Sequence, residues 1–285
     1  MDVAEAMTPR AELVTVTLPG GRKDALSYLQ EHRFSSVPVV KPTEDGETFR
    51  GLVSREDLIA NPAEDQLALL LREVPTVTAS DDLATVARTV TEEGVRRLPV
   101  VADGDETELV GIVTVTDVIH AIAHEDLLVE GDCASVASDT VVTLYAETPV
   151  AVAERQLAFA DVPYGVCLDD DCEVAGMLTE VDLLDVARIV EGETETGDSI
   201  ADQDDDWKWE SVKAIGSRYL PTRDVELPSE PTARVMTDDV ITVYGAQTLT
   251  EAAQMMVRNE VEQFPLVDGA DLAGVLRDVH VLEAV

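Results

Sequence analysis

Leu98-Pro99-Val100-Val101, followed by Gly111-Ile112-Val113-Thr114-Val115-Thr116-Asp117, decides the fold, because the same phrase occurs three more times. The other copies read Val37-Pro38-Val39-Val40 with Gly51-Leu52-Val53-Ser54-Arg55-Glu56-Asp57, Val162-Pro163-Tyr164-Gly165 with Gly176-Met177-Leu178-Thr179-Glu180-Val181-Asp182, and Phe264-Pro265-Leu266-Val267 with Gly274-Val275-Leu276-Arg277-Asp278-Val279-His280. Three copies end in a hydroxyl and an aspartate. The fourth has Arg277 and His280 in those places. Internal repetition settles architecture before local propensity does.

Around each phrase the pattern extends in both directions. A short β-branched strand is expected first, at residues 13 to 17, 74 to 78, 141 to 144 and 240 to 243. A helix follows. Its starts are signalled by Ser80 before Asp81-Asp82, by Thr148 before Pro149, and by the capping-box spacing of Thr248 and Glu251. Apolar residues then recur at helical intervals, as at Leu83, Val86, Ala87 and Val90. The proline strand, a polar turn, the glycine strand and a second helix complete an order β-α-β-β-α. One such unit cannot cover both faces of its sheet, so neighbouring copies should pack on each other.

The motif glycines are 60, 65 and 98 residues apart, so the last interval holds an insertion. Residues 190 to 206 read as a flexible acidic loop. Trp207 to Arg223 then gathers both tryptophans and two of the four lysines. Trp209, Val212 and Ile215 recur at three-residue intervals, which predicts a short ordered helix ended by Gly216. The resulting division is 1–62, 63–125, 126–189 and 230–285 for the repeats, with the insertion at 190–229.

Composition narrows the partners. With 20 basic against 58 acidic residues the net charge is −38, which argues against a nucleic-acid partner held by counterion release. Spread along the whole chain, the acids read as a solvated surface suited to a salt-rich, halophilic cytoplasm. The first seven residues carry neither a basic nor an apolar targeting stretch, and no apolar run approaches the roughly 20 residues of a membrane span. A cytoplasmic protein is expected. Cys133, Cys167 and Cys172 lack metal or disulfide spacing and read as ordinary thiols. His120 and His124 stand at i, i+4 without an evident third ligand, so no metal site is expected.

A hydroxyl three residues before an aspartate at a strand-to-helix junction has two readings. Ser54, Thr114 and Thr179 could cap the helix, with Asp57, Asp117 and Asp182 closing the box. Alternatively, the helix N-terminus offers N–H groups and a hydroxyl to a phosphate, while the aspartate accepts from a ribose diol. The glycine, at a repeated offset from the proline strand, favours the second reading, as a place where a ligand approaches the backbone closely.

The β-α-β-β-α order, the stretches His32-Arg33-Phe34-Ser35-Ser36-Val37-Pro38-Val39-Val40 and Arg96-Arg97-Leu98-Pro99-Val100-Val101, and the Gly-x-x-Ser/Thr-x-x-Asp motifs resemble the cystathionine-β-synthase (CBS) domain family. The resemblance implies an α/β protein of four CBS repeats packed as two Bateman modules, repeats 1 and 2 forming one and repeats 3 and 4 the other. It implies clefts for adenine nucleotides or other adenosyl compounds, with Asp57, Asp117 and Asp182 at the ribose and Ser54, Thr114 and Thr179 at the hydroxyl or phosphate. Val37, Pro38 and Val39, Leu98, Pro99 and Val100, and Val162 to Tyr164 would flank the base. His32, Arg33, Arg96 and Arg97 would supply positive charge in the first module, although Arg33 and Arg97 could equally pair with surface acids. In the fourth copy the ribose acceptor is missing, and Arg277 would meet nearby carboxylates or a phosphate from the neighbouring cleft.

The expected function is that of a stand-alone regulatory protein, not an enzyme, which senses AMP, ADP or ATP as a regulatory ligand, needs no cofactor, and acts on an effector protein. The resemblance leaves room for a homodimer. Two other readings stand beside it: a binder of S-adenosylmethionine or methylthioadenosine, and a scaffold with empty clefts. The catalytic barrel of inosine-monophosphate dehydrogenases, which also carry CBS pairs, has no counterpart here.

Overall fold

A computed structural model describes residues 1–31, 36–44, 46–54, 57–58, 64–160, 162–179, 182–183, 186, 188–190, 212–215, 218–221 and 224–285. It divides into two compact units, Met1–Thr140 with Ile241–Val285, and Val141–Val240. The first holds repeats 1, 2 and 4 and the second holds repeat 3.

Each repeat has a three-stranded sheet built the same way. In repeat 2 the short strand Val77–Thr78 runs parallel to the proline strand Arg97–Ala102, which pairs antiparallel with Asp105–Thr114. Repeats 1, 3 and 4 repeat this order with Val16–Thr17, Ser36–Thr43 and Gly46–Ser54, with Thr143–Tyr145, Tyr164–Leu168 and Val174–Thr179, and with Val243–Tyr244, Gln263–Asp268 and Asp271–Arg277. The opening strands are only two or three residues long, shorter than expected, because the residues before them belong to a different piece of structure.

That piece is a lead-in segment which precedes each repeat and crosses to another repeat. It contains a short helical turn at Val3–Ala6, Leu67–Leu69, Cys133–Val136 and Thr232–Arg234. The segment before repeat 1 pairs with the glycine strand of repeat 2, Thr8 opposite Ile112 and Pro9 opposite Gly111, and the segment before repeat 2 returns to repeat 1, Arg72 opposite Leu52. Ser138, ahead of repeat 3, pairs with Val275 in repeat 4; Thr237, ahead of repeat 4, pairs with Met177 in repeat 3. The exchange is reciprocal. In each segment one side chain is fully buried: Val3, Leu67, Cys133 and Thr232, all 0% exposed.

This crossing corrects the reading of the motif glycines as a place for ligand approach. A Cβ on Gly111 would lie 2.8 Å from the Thr8 carbonyl oxygen, and one on Gly176 would lie 2.7 Å from that of Thr237. Arg72 and Ser138 stand the same way over Gly51 and Gly274. Glycine is needed because a second backbone lies on the strand.

The glycine strands of repeats 1 and 2 lie against each other, so these two repeats pack sheet on sheet as expected. Repeat 4 joins the same unit through helices. Its first helix, Leu249–Asn259, packs on the second helix of repeat 2, Val115–Ala123, and both repeats share one core. Leu83, Val86, Ala87 and Val90 are buried in it, as are Leu249, Ala252, Ala253 and Met256. Thr248 and Glu251 make the predicted capping box, but Leu83–Glu93 is capped by Asp82, whose carboxylate accepts from Thr85 N at 2.7 Å. Ser80 is not the cap because its hydroxyl donates to Asp103 at 2.7 Å.

Within the insertion, Arg188–Val190 pairs with Asp224–Glu226, and Val212–Ile215 pairs antiparallel with Arg218–Pro221. The stretch expected as a helix is therefore a hairpin. Its β-forming residues flank Gly216-Ser217, a dipeptide that itself signals a two-residue turn. Trp207, Trp209 and the acidic loop from 191 to 206 lie outside the described residues.

Candidate functional site

The motif hydroxyl and aspartate come together at the end of the glycine strands of repeats 1, 2 and 3. Asp117 Oδ2 accepts from Thr114 N at 2.7 Å and from Thr114 Oγ1 at 2.8 Å, where Val115–Ala123 begins. Asp182 Oδ2 accepts from Thr179 N and Oγ1, both at 2.7 Å, and Asp57 Oδ2 accepts from Ser54 N at 2.9 Å and Oγ at 2.6 Å. The capping reading therefore holds for one oxygen of each aspartate.

The second oxygen points elsewhere. Asp57 Oδ1 lies 3.5 Å from Arg72 Nε, and Asp182 Oδ1 accepts from Thr237 Oγ1 at 3.4 Å. Both partners occupy the same position of a lead-in segment, which thus reaches the motif of the repeat it crosses. For Asp117 Oδ1 no hydrogen-bond partner is found among the described residues. Burial raises the pKa of Asp117, against the lowering effect of the two Thr114 hydrogen bonds. Asp117 borders a cavity of about 350 Å³ that is also lined by Met1, Glu5, Ala6, His120 and His124.

The proline strands are buried in the core. Val37, Val39, Leu98 and Val100 are at most 1% exposed, so their side chains belong to the core. Any ligand would meet backbone groups there. Cys167, in the third proline strand, is likewise fully buried and its thiol is pushed up to about 12 by burial, which makes it a packing residue. His32 and Arg33 lie outside the described residues.

Arg96 and Arg97 diverge. Arg97 reaches back to repeat 1, donating to the Ser36 carbonyl at 3.4 Å. Arg96 turns to repeat 4, where Nη1 and Nη2 grip Asp278 at 3.2 and 2.6 Å and Nη2 also meets Glu262 at 3.0 Å. Asp278 is 3% exposed. Burial works against the charge on Arg96, and the bond and field of Asp278 more than offset it. Arg96, expected to offer positive charge to a ligand, is thus paired with two carboxylates.

In repeat 4, His280 stands where the aspartate would be, and its Nδ1 accepts from Arg277 N at 3.2 Å. His120 and His124 stack with ring centroids 6.1 Å apart, and no group of three or more metal-binding side chains occurs among the described residues. No helix among those residues is long and apolar enough to cross a membrane.

The lead-in segments were not foreseen from the sequence. Their signal was present in aligned form: Asp2-Val3-Ala4, Gln66-Leu67-Ala68, Asp132-Cys133-Ala134 and Pro231-Thr232-Ala233 share the alanine and place the buried residue before it.

Comparison with known proteins agrees with this architecture. The chain is 22% identical over 281 residues to the uncharacterized protein MJ1404 of Methanocaldococcus jannaschii, and spans 99% of itself but 61% of that relative's length. The crystal structure of an uncharacterized conserved protein from Pyrococcus horikoshii superposes with a TM-score of 0.68 at 25% identity, covering 99% of both chains. MJ1225 of M. jannaschii, proposed as an archaeal homolog of g-AMPK, shares the fold with a TM-score of 0.66 at 17% identity, again over 99% of both chains. The family model for the CBS domain matches residues 3–64, 68–124 and 233–285, more than half of the chain. Repeat 3, outside those matches, has the same strand order and motif geometry, and the chain belongs to the CBS-domain family.

Proposed function

We propose that this chain is a regulatory ligand-sensing protein that binds an adenosine compound in the cleft of repeats 1 and 2 and acts on an effector protein, with no catalysis of its own. The observation that carries the reading is Asp117. Its Oδ2 is fixed by the helix cap, while the half-buried carboxylate presents a second oxygen that no described residue engages. A half-buried carboxylate held in one orientation is suited to accept from a vicinal diol such as that of ribose. Asp57 holds the matching place in repeat 1. The acidic composition fits work in a salt-rich cytoplasm.

Calorimetric titration in molar potassium chloride with AMP, ADP, ATP and S-adenosylmethionine tests the reading. Binding is expected for at least one of them, and the double variant Asp57→Ala/Asp117→Ala should lose it. Unchanged affinity in that variant would refute the assignment.

A further inference from the structure

Asp57 and Asp117 share one cap and have different neighbours. In both, Oδ2 accepts from the backbone N–H and the hydroxyl of the motif Ser or Thr. The difference lies in the lead-in residue that crosses each motif. Arg72 and Thr8 occupy the same register, for their carbonyl oxygens would lie 2.5 and 2.8 Å from a Cβ on Gly51 and Gly111. Among the described residues Thr8 makes no hydrogen bond with Asp117, whereas Arg72 Nε stands 3.5 Å from Asp57 Oδ1.

The Arg72 contact is fixed at one end and loose at the other. Its backbone is pinned to the glycine strand of repeat 1, Arg72 N donating to the Leu52 carbonyl at 2.9 Å and Leu52 N to the Arg72 carbonyl at 3.1 Å. Its side chain is 63% exposed, against 15% for that of Asp57, and 3.5 Å is longer than a well-formed hydrogen bond. The guanidinium can therefore swing into water while the chain that carries it keeps its place. The oxygen it would leave is the counterpart of the one that Asp117 presents.

We infer that Arg72 is an internal competitor for the motif of repeat 1: a ligand diol must displace its guanidinium from Asp57 Oδ1, which lowers the affinity of that motif for an adenosine compound. The inference rests on the adenosine reading above. It gives the segment ahead of repeat 2 control over the site of repeat 1.

Adenosine is the probe, because it carries the diol and no charge of its own. Calorimetry on the full chain compares Asp117→Ala/Asp182→Ala, which leaves Asp57 as the last of the three motif aspartates, with the same variant carrying Arg72→Gln. The exposed Arg72 side chain makes the added substitution easy to fold. Removing the guanidinium should tighten adenosine binding about two- to fivefold, the weight of an exposed ion pair. Raising potassium chloride from physiological to molar strength, where the Debye length falls from roughly 8 Å to 3 Å, should strengthen binding more with Arg72 present than with Arg72→Gln, since salt screens the pair and not a neutral ligand. Affinity that Arg72→Gln leaves unchanged or weakens would overturn the inference, as would equal salt responses or no adenosine binding in either variant; the adenosine reading would still stand if the unmodified protein binds adenosine or AMP. If the unmodified protein binds none of the adenosine compounds, that reading falls and the inference with it.

Discussion

Repeats 2 and 4 share one core and one strand order, yet they end in different chemistry. Thr114 N donates to Asp117 Oδ2 at 2.7 Å in one, and Arg277 N donates to His280 Nδ1 at 3.2 Å in the other. The helix start needs an acceptor at its third position, and an imidazole nitrogen meets that need as a carboxylate does. Folding therefore does not account for the aspartate specifically. What repeat 4 has lost is the second oxygen, and what it has gained is Asp278, two residues earlier, whose buried carboxylate holds Arg96 of repeat 2.

The largest expected effect comes from cutting that link. Arg96→Ala leaves Asp278 charged, buried and paired only with its own helix through Val279 N at 2.7 Å. The loss should be about 3 kcal/mol, near the lower end for breaking a buried pair, because a third of the Arg96 side chain remains in contact with solvent. Urea denaturation in molar potassium chloride measures it. Glu262→Gln, on the exposed side of the same cluster, should cost less than about 1 kcal/mol. Equal effects from the two variants would mean that Asp278 is not the anchor.

A second test rebuilds the lost chemistry. Arg277→Thr with His280→Asp restores a hydroxyl and a carboxylate on a strand and helix that already have the right register. The variant should add a binding event for an adenosine compound, since one charge-assisted hydrogen bond contributes on the order of 1.5–3 kcal/mol. Asp117→Ala in repeat 2 should weaken binding by a similar amount. If the rebuilt motif leaves stoichiometry unchanged while Asp117→Ala abolishes binding, repeat 4 lacks more of the site than its two motif residues.

How much of this was legible depends on sequence separation. The Thr248 to Glu251 box and the buried stripe from Leu83 to Val90 follow from local contacts and match the expectation, whereas the Thr114 to Asp117 box is present although the motif glycine weighs the sequence toward a ligand contact. The proline and glycine strands were recognised because they recur. Arg96 and Asp278 are 182 residues apart, and nothing local distinguishes an arginine bound for a phosphate from one bound for a carboxylate. The lead-in segments failed for a different reason: their turns are three or four residues long, too short for periodicity to register, and their role lies in crossing to another sheet. The hairpin at Val212–Ile215 and Arg218–Pro221 stands where the three-residue apolar interval predicts a helix, and the sequence feature that agrees with it is the turn signal of Gly216-Ser217.

The smallest expected effect separates the two motifs by pH, because their capping residues titrate in opposite senses. Burial lowers the pKa of His280, and Arg277 lowers it further, against the raising effects of Glu283 and Asp278. Protonation would also remove the acceptor for Arg277 N and place a cation at a helix N-terminus. With its folded pKa below the ordinary 6.5, His280 contributes stability that is present above 6.5 and lost as the pH falls through the folded value. Asp117 behaves the other way. Burial raises its pKa above 3.8, so the folded state binds more protons, and the stability it allows in acid is lost as the pH rises from 3.8 through the folded value. His280→Asn keeps an acceptor and removes the titration, so it should flatten the stability profile just below 6.5, whereas Asp117→Asn should raise stability at neutral pH. Denaturation curves recorded from pH 7.5 to 4 for both variants against the parent give the differences directly. Slopes of the same sign for the two would contradict the contrast drawn between these repeats.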